Sequence, residues 1–92
     1  MQLEQVERFE YSELPWYGLI FLECIIVKEE FRNQGYGIKQ MKLLIQYAEE
    51  NGLTIELKPD DKLGTPMHVL EKFYEGLGFV WDQNEQSYFY NT

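Results

Sequence analysis

An apolar strand, a polar loop with glycines, an amphipathic helix and a second strand follow one another between residues 17 and 57. This run constrains the fold more than any other part of the chain. Residues 17–27, Tyr-Gly-Leu-Ile-Phe-Leu-Glu-Cys-Ile-Ile-Val, are rich in β-branched and aromatic side chains and almost continuously apolar. That pattern predicts a strand buried on both faces at the centre of a sheet. The polar segment 28–37 ends in Gly-Tyr-Gly and reads as a loop. From Ile38 the period changes. Ile38, Met41, Ile45 and Ala48 share one helical face with Leu44 beside it, while Lys39, Lys42, Gln46 and Glu49 fall elsewhere. Asn51-Gly52 supplies the C-terminal stop. Leu53, Ile55 and Leu57 then alternate with Thr54 and Glu56, as in a strand. Two strands joined through a helix within about forty residues form a parallel crossover unit.

The flanking segments are less regular. Leu3, Val6 and Phe9 recur every third residue, which suits a helical turn or an irregular strand equally badly. Pro15 marks a break, and residues 59–64 form a charged loop. Thr65-Pro66 predicts a helix start with threonine as the cap and proline in the first turn. Val69 or Leu70, Phe73 and Leu77 carry that helix inward until Gly78 ends it. Residues 79–81 and 87–90 read as two short aromatic strands around the polar turn 82–85, a closing hairpin.

Ninety-two residues, 45% of them apolar, suffice for one domain spanning 1–92 with a single core. Sixteen acidic and eight basic residues leave a formal charge of −8. Such a field repels nucleic acid and anionic membranes and attracts cationic molecules, and it also keeps small cytosolic proteins soluble. Cys24 is the only cysteine, so an internal disulfide and a zinc cluster are excluded. No basic region leads into an apolar run at the N-terminus, and residues 19–27 are too short to span a bilayer. A soluble, cytoplasmic protein without metal, nucleic-acid or membrane partners is expected.

The most informative residues are Arg32-Asn33-Gln34-Gly35-Tyr36-Gly37, between the apolar strand and the helix. A helix N-terminus presents unpaired N–H groups and partial positive charge, and glycines let backbone curl around an anion. Neither the P-loop pattern nor the three-glycine dinucleotide fingerprint is present. Lys28, Arg32, Lys39 and Lys42, four of the eight Lys and Arg residues, gather around this loop, diluted by Glu29 and Glu30.

Arg-x-x-Gly-x-Gly resembles the acyl-CoA pyrophosphate loop of the GNAT (GCN5-related N-acetyltransferase) superfamily. Phe73-Tyr74-Glu75-Gly76-Leu77-Gly78-Phe79 resembles the Tyr-x-x-Leu-Gly-Phe ending frequent in that family. The resemblance runs from about Gly18 to Phe79. It implies an α/β (α+β) fold: a central mixed sheet holding the acyl-CoA-binding strand–loop–helix–strand unit, a second helix and a C-terminal hairpin. It also implies an N-acetyltransferase that passes an acetyl group from acetyl-CoA to a primary amine by direct attack.

Under that resemblance, backbone groups of Ile25, Ile26 and Val27 pair with the pantetheine arm, and one N–H there stabilises the oxyanion. Arg32 belongs to the phosphate loop, and the amides of Asn33, Gln34, Gly35, Tyr36, Gly37 and Ile38 hold the pyrophosphate. Tyr74 matches the family's general acid, although its spacing beside Phe73 and Leu77 also suits a core aromatic. Glu56 and Glu23 are both candidates for the base, and either is equally placed as a solvent-exposed carboxylate. Cys24 reads as structural, and His68 as a surface or capping residue.

Relatives carry further strands and helices before the central strand, which wall the acceptor site; here about sixteen residues precede Tyr17. The resemblance implies a small-molecule or peptide amine as acceptor and leaves three outcomes: an open site for a large substrate such as a protein, a site completed by a second copy in a homodimer, or lost catalysis. In the last case the chain is a non-catalytic acidic interaction protein on the same fold. The long loop 59–65 is positioned to cover the cofactor and replaces a position where an asparagine often contacts the arm.

Overall fold

The structure, a computed structural model, describes residues 1–92 apart from the side chain at position 63. Five strands, β1 (Val6–Leu14), β2 (Leu19–Val27), β3 (Thr54–Leu57), β4 (Val80–Asp82) and β5 (Ser87–Tyr90), form one sheet in the order β1-β2-β3-β5-β4. Helix α1 (Tyr36–Asn51) joins β2 to β3, and α2 (Met67–Gly76) joins β3 to the β4–β5 hairpin. The β2–β3 pair is parallel and the other pairs are antiparallel, so the sheet is mixed. The crossover unit legible in the sequence is its centre. Gly52 stops α1 with φ of 65°, a left-handed turn that glycine enters without steric cost.

Both helices pack on one face. Met41, Leu44, Ile45 and Ala48 of α1 meet Ile20, Leu22, Ile55 and Leu57 of the sheet. From α2, the Tyr74 ring makes an edge contact with Phe79 at 5.8 Å between centroids and lies 6.1 Å from Tyr88. Tyr88 pairs with Leu57 and therefore shares its face. The row Phe21, Glu56, Phe89 points the other way and stays half-buried. This changes the expectation of a strand buried on both sides. Only Ile20 and Leu22 of β2 are buried, because the helices cover a single face.

Two register shifts shape the long hairpin. Tyr11 pairs with Leu22 and Glu10 with Cys24, so β2 carries one extra residue there, a bulge at Glu23–Cys24. Its effect is to bring Leu22 and Ile25, three apart, onto the helix-covered face opposite Tyr11 and Phe9. The second shift, between Val6 and Arg8, adds a residue to β1, so Val6 and Phe9 also share a face. The awkward period of three in the N-terminal segment is thus a bulged strand. Buried Gln40 ties that segment to α1: its Oε1 accepts from the Leu3 N–H at 2.7 Å, and its Nε2 donates to the Met1 carbonyl at 3.2 Å.

Three local expectations are corrected. Helix α1 begins at Tyr36, and Ile38 is 42% exposed, so its inward face starts with Gln40 and Met41. Val69 is 44% exposed, leaving Leu70, Phe73, Tyr74 and Leu77 to carry α2 inward. Pro66 occupies the cap position of α2 without a side-chain bond, so Thr65 does not cap the helix.

Candidate functional site

Strands β2 and β3 are hydrogen-bonded neighbours only from the Leu19–Thr54 pair to the Leu22–Leu57 pair. Beyond it β2 continues to Val27 along β1, while β3 ends and the chain turns away through Lys58 and Pro59. The bulge at Glu23–Cys24 lies immediately after the last shared pair and bends β2 off its neighbour. Along Cys24, Ile25 and Ile26 the edge of β2 facing the gap has no partner strand, so its peptide groups are free for an extended ligand.

A groove of about 450 Å³ runs from this edge to the start of α1. Ile25, Ile26, Val27, Arg32, Asn33, Gly35, Tyr36, Gly37 and Ile38 all line it, as does Tyr74. Of the residues assigned to cofactor binding from sequence, Gln34 alone is not part of the lining; its side-chain amide donates to the Glu30 carbonyl at 3.1 Å and holds the turn. Asn33 and Gly35 both have positive φ, 63° and 84°. Left-handed residues alternating with others turn successive N–H groups toward one point, an anion-binding concavity. Gly35 caps α1 without a side-chain bond, no acidic residue stands in the first turn, and the first helical bond is from the Lys39 N–H to the Gly35 carbonyl. The amides of Tyr36, Gly37 and Ile38 are therefore open to an anion.

Basic side chains frame this mouth. Arg32 Nε donates to the Val27 carbonyl at 3.2 Å, which lays its guanidinium across the end of β2. The Lys39 ammonium sits 5.1 Å from the centroid of the Tyr36 ring, whose edge contact with Phe31 steadies the loop. Gly37 lies where a side chain would meet Phe73 at 3.5 Å and Val27 at 3.8 Å, ordinary contact distances, so α1, α2 and β2 come together here. A free strand edge, an open amide cradle, local positive charge and an apolar trough between them fit a diphosphate carried on an amide-bearing arm.

A second, narrower groove of about 70 Å³ opens in the gap itself. Glu23, Cys24, Leu57, Lys58 and Asp60 contribute to its walls. The two grooves share Ile25, Thr65, Leu70 and Tyr74. Tyr74 is only 6% exposed, and burial, reinforced by the Cys24 thiol, pushes its phenol up to about 12. Its hydroxyl has no hydrogen-bond partner among the described residues, yet no fully buried side-chain oxygen or nitrogen there lacks one. The hydroxyl therefore keeps some exposure, and Tyr74 lines both grooves.

The two carboxylates named from sequence separate. Glu23 lines the narrow groove, whereas Glu56 lines neither. Glu56 Oε2 accepts from Ser87 Oγ at 2.8 Å, and buried Ser87 accepts in turn from Lys58 Nζ at 2.8 Å. Lys58 also donates to the carbonyls of Glu85 and Gln86. Sequence reasoning missed this chain because Lys58 and Ser87 lie far apart in sequence and meet only where β5 pairs with β3. His68 is exposed, as expected. No group of three or more His, Cys, Asp or Glu among the described residues could hold a metal ion, and no helix there is long and apolar enough to cross a membrane.

The pattern that defines the acetyltransferase (GNAT) family matches residues 7–79. The chain belongs to the GNAT family. That match takes in β1 from its second residue, the parted strands, the amide cradle and Tyr74, so the two grooves lie wholly inside the GNAT unit. An acetyltransferase of the GNAT family from Staphylococcus aureus Mu50, known from its crystal structure, superposes with a TM-score of 0.65 at 21% identity. The alignment covers 80% of this chain and 52% of that one. The likeness establishes the GNAT fold, and the chain spans about half the length of that relative. A search of curated proteins found no match.

Proposed function

We propose that this GNAT domain is an N-acetyltransferase that moves an acetyl group from acetyl-CoA to a primary amine by direct attack. The observation that carries the reading is the parting of β2 from β3, with an open amide cradle at one end and the free hydroxyl of buried Tyr74 where the two grooves meet. The amides of Asn33, Gly35, Tyr36, Gly37 and Ile38, with Arg32 beside them, hold the diphosphate. The free edge at Ile25, Ile26 and Val27 pairs with the arm, and an N–H there faces the thioester oxygen as charge develops on it.

In the transfer the C–N bond forms as the C–S bond breaks, and the amine gives up a proton to a carboxylate or water. Glu23 is the better placed of the two carboxylates, because it lines the groove next to Tyr74. The departing sulfur needs a proton donor. A phenol pushed up to about 12 keeps its proton at neutral pH, and the Tyr74 hydroxyl has no hydrogen-bond partner among the described residues. The burial that holds this proton also disfavours a bare thiolate in the same place, which matches donor to acceptor.

Calorimetric titration with acetyl-CoA tests the reading at its base: a one-to-one heat is expected, and none overturns it. Tyr74→Phe is expected to lower kcat about 10²–10⁴-fold while acetyl-CoA affinity stays unchanged. The absent bond makes the variant structurally mild. Equal turnover by the variant removes the acid role. The open, half-apolar face bearing Phe21 and Phe89 favours a second reading, a non-catalytic interaction protein, which a folded, CoA-free wild type would support.

A further inference from the structure

Resting on the acetyltransferase reading, we propose that the narrow groove is the acceptor port, and that it selects an unbranched aliphatic amine carrying a second cationic centre. The two grooves that meet at Tyr74 differ in charge. The wide one has Arg32 and the positive end of α1; the narrow one has the carboxylates of Glu23 and Asp60, both on exposed residues. Lys58 also borders the narrow groove, but its ammonium is engaged by Ser87 Oγ and the carbonyls of Glu85 and Gln86. Asp60 Oδ1 accepts from the Lys62 N–H at 2.9 Å, which leaves its other oxygen for a ligand.

A pair of exposed acids would not by itself make a site. The second observation is Tyr74, buried, unpartnered and open to this same groove, which marks where the chain of the acceptor must end. Leu22, Leu57 and Leu70 add apolar wall to the same groove, and a space of about 70 Å³ suits a string of methylenes better than a branched or ring-bearing group. A reacting amine must be uncharged when it attacks, so with Glu23 taking its proton the Asp60 carboxylate at the rim serves a different charge, one that sits a few methylenes behind it. A linear diamine, or a lysine side chain in a basic peptide, has that chemistry. An acceptor with a distal carboxylate would place like charges together.

The test uses the whole chain with acetyl-CoA and compares initial rates for 1,5-diaminopentane, 1-aminopentane, 6-aminohexanoate and the bulky 1-aminoadamantane. We expect kcat/KM for the diamine to exceed that for 6-aminohexanoate by at least ~10-fold, with 1-aminopentane between them and 1-aminoadamantane inactive. Asp60→Asn, which keeps the turn-capping oxygen, should raise KM for the diamine about 3–5-fold and leave KM for 1-aminopentane unchanged. Preference for the anionic or the bulky acceptor, an Asp60→Asn enzyme with unaltered KM, or acetyl-CoA binding without transfer to any amine would each overturn the proposal. Absence of acetyl-CoA binding in the calorimeter would instead bring down the acetyltransferase reading beneath it.

Discussion

Tyr74 joins packing and chemistry in one side chain. Its ring closes the core against Phe73, Phe79 and Tyr88, while its hydroxyl is left over for the grooves. Tyr88, buried with its hydroxyl donating to a Glu75 carboxylate oxygen at 2.6 Å, is likewise pushed up to about 12 by burial and by that carboxylate. An unfolded tyrosine titrates near pH 10, roughly. The folded chain therefore holds both protons more tightly than the unfolded one. Their stabilising contribution is complete below about pH 10 and is lost as pH rises from there through 12. Urea midpoints measured across that window should fall steeply for the wild type, and less steeply for Tyr74→Phe and Tyr88→Phe. Unchanged slopes in both variants would refute the assignment. Sequence reasoning left Tyr74 as either acid or core aromatic, because spacing on a helix places a ring but says nothing about whether its oxygen finds a partner.

Glycine does its work at the level of the elements, at the entrance to α1. Gly35 holds φ of 84° with open space where a Cβ would stand, so the cost of a side chain there is backbone strain alone. Gly35→Ala should lose about 1–2 kcal/mol of stability and weaken acetyl-CoA binding by distorting the amide cradle. Gly37→Ala meets Phe73 at ordinary contact distance in a right-handed conformation, and should change stability by less than about 1 kcal/mol. Chemical denaturation and calorimetry on the pair would check this, and equal losses would count against it. The glycine loop was legible in sequence because left-handed turns and helix starts are local. The β1 strand was not, because its period of three comes from a bulge that only pairing with β2 reveals. The Glu23 bulge is the same kind of feature. The place where β2 abandons β3 follows from the length of β3 and the turn at Pro59.

For the molecule as a whole, a formal charge of −8 on ninety-two residues means that folding concentrates like charge. Screening should relieve it. Raising NaCl from about 20 to about 500 mM is expected to raise the melting temperature by a few degrees, and a fall would mean that local ion pairs outweigh the net repulsion. The sheet has both helices on one face and a half-exposed row, Phe21, Glu56 and Phe89, on the other. The sequence by itself determined the crossover unit, the glycine cradle, the second helix and the closing hairpin, since each is written in period, cap and turn residues within a few positions of one another. Only the tertiary structure decided that both helices share a face, that Glu23 lines a groove while Glu56 bonds to Ser87, and that the Tyr74 hydroxyl is free. Those outcomes depend on which distant segments pair and how far the pairing runs, and contacts between residues tens of positions apart leave no local period to read.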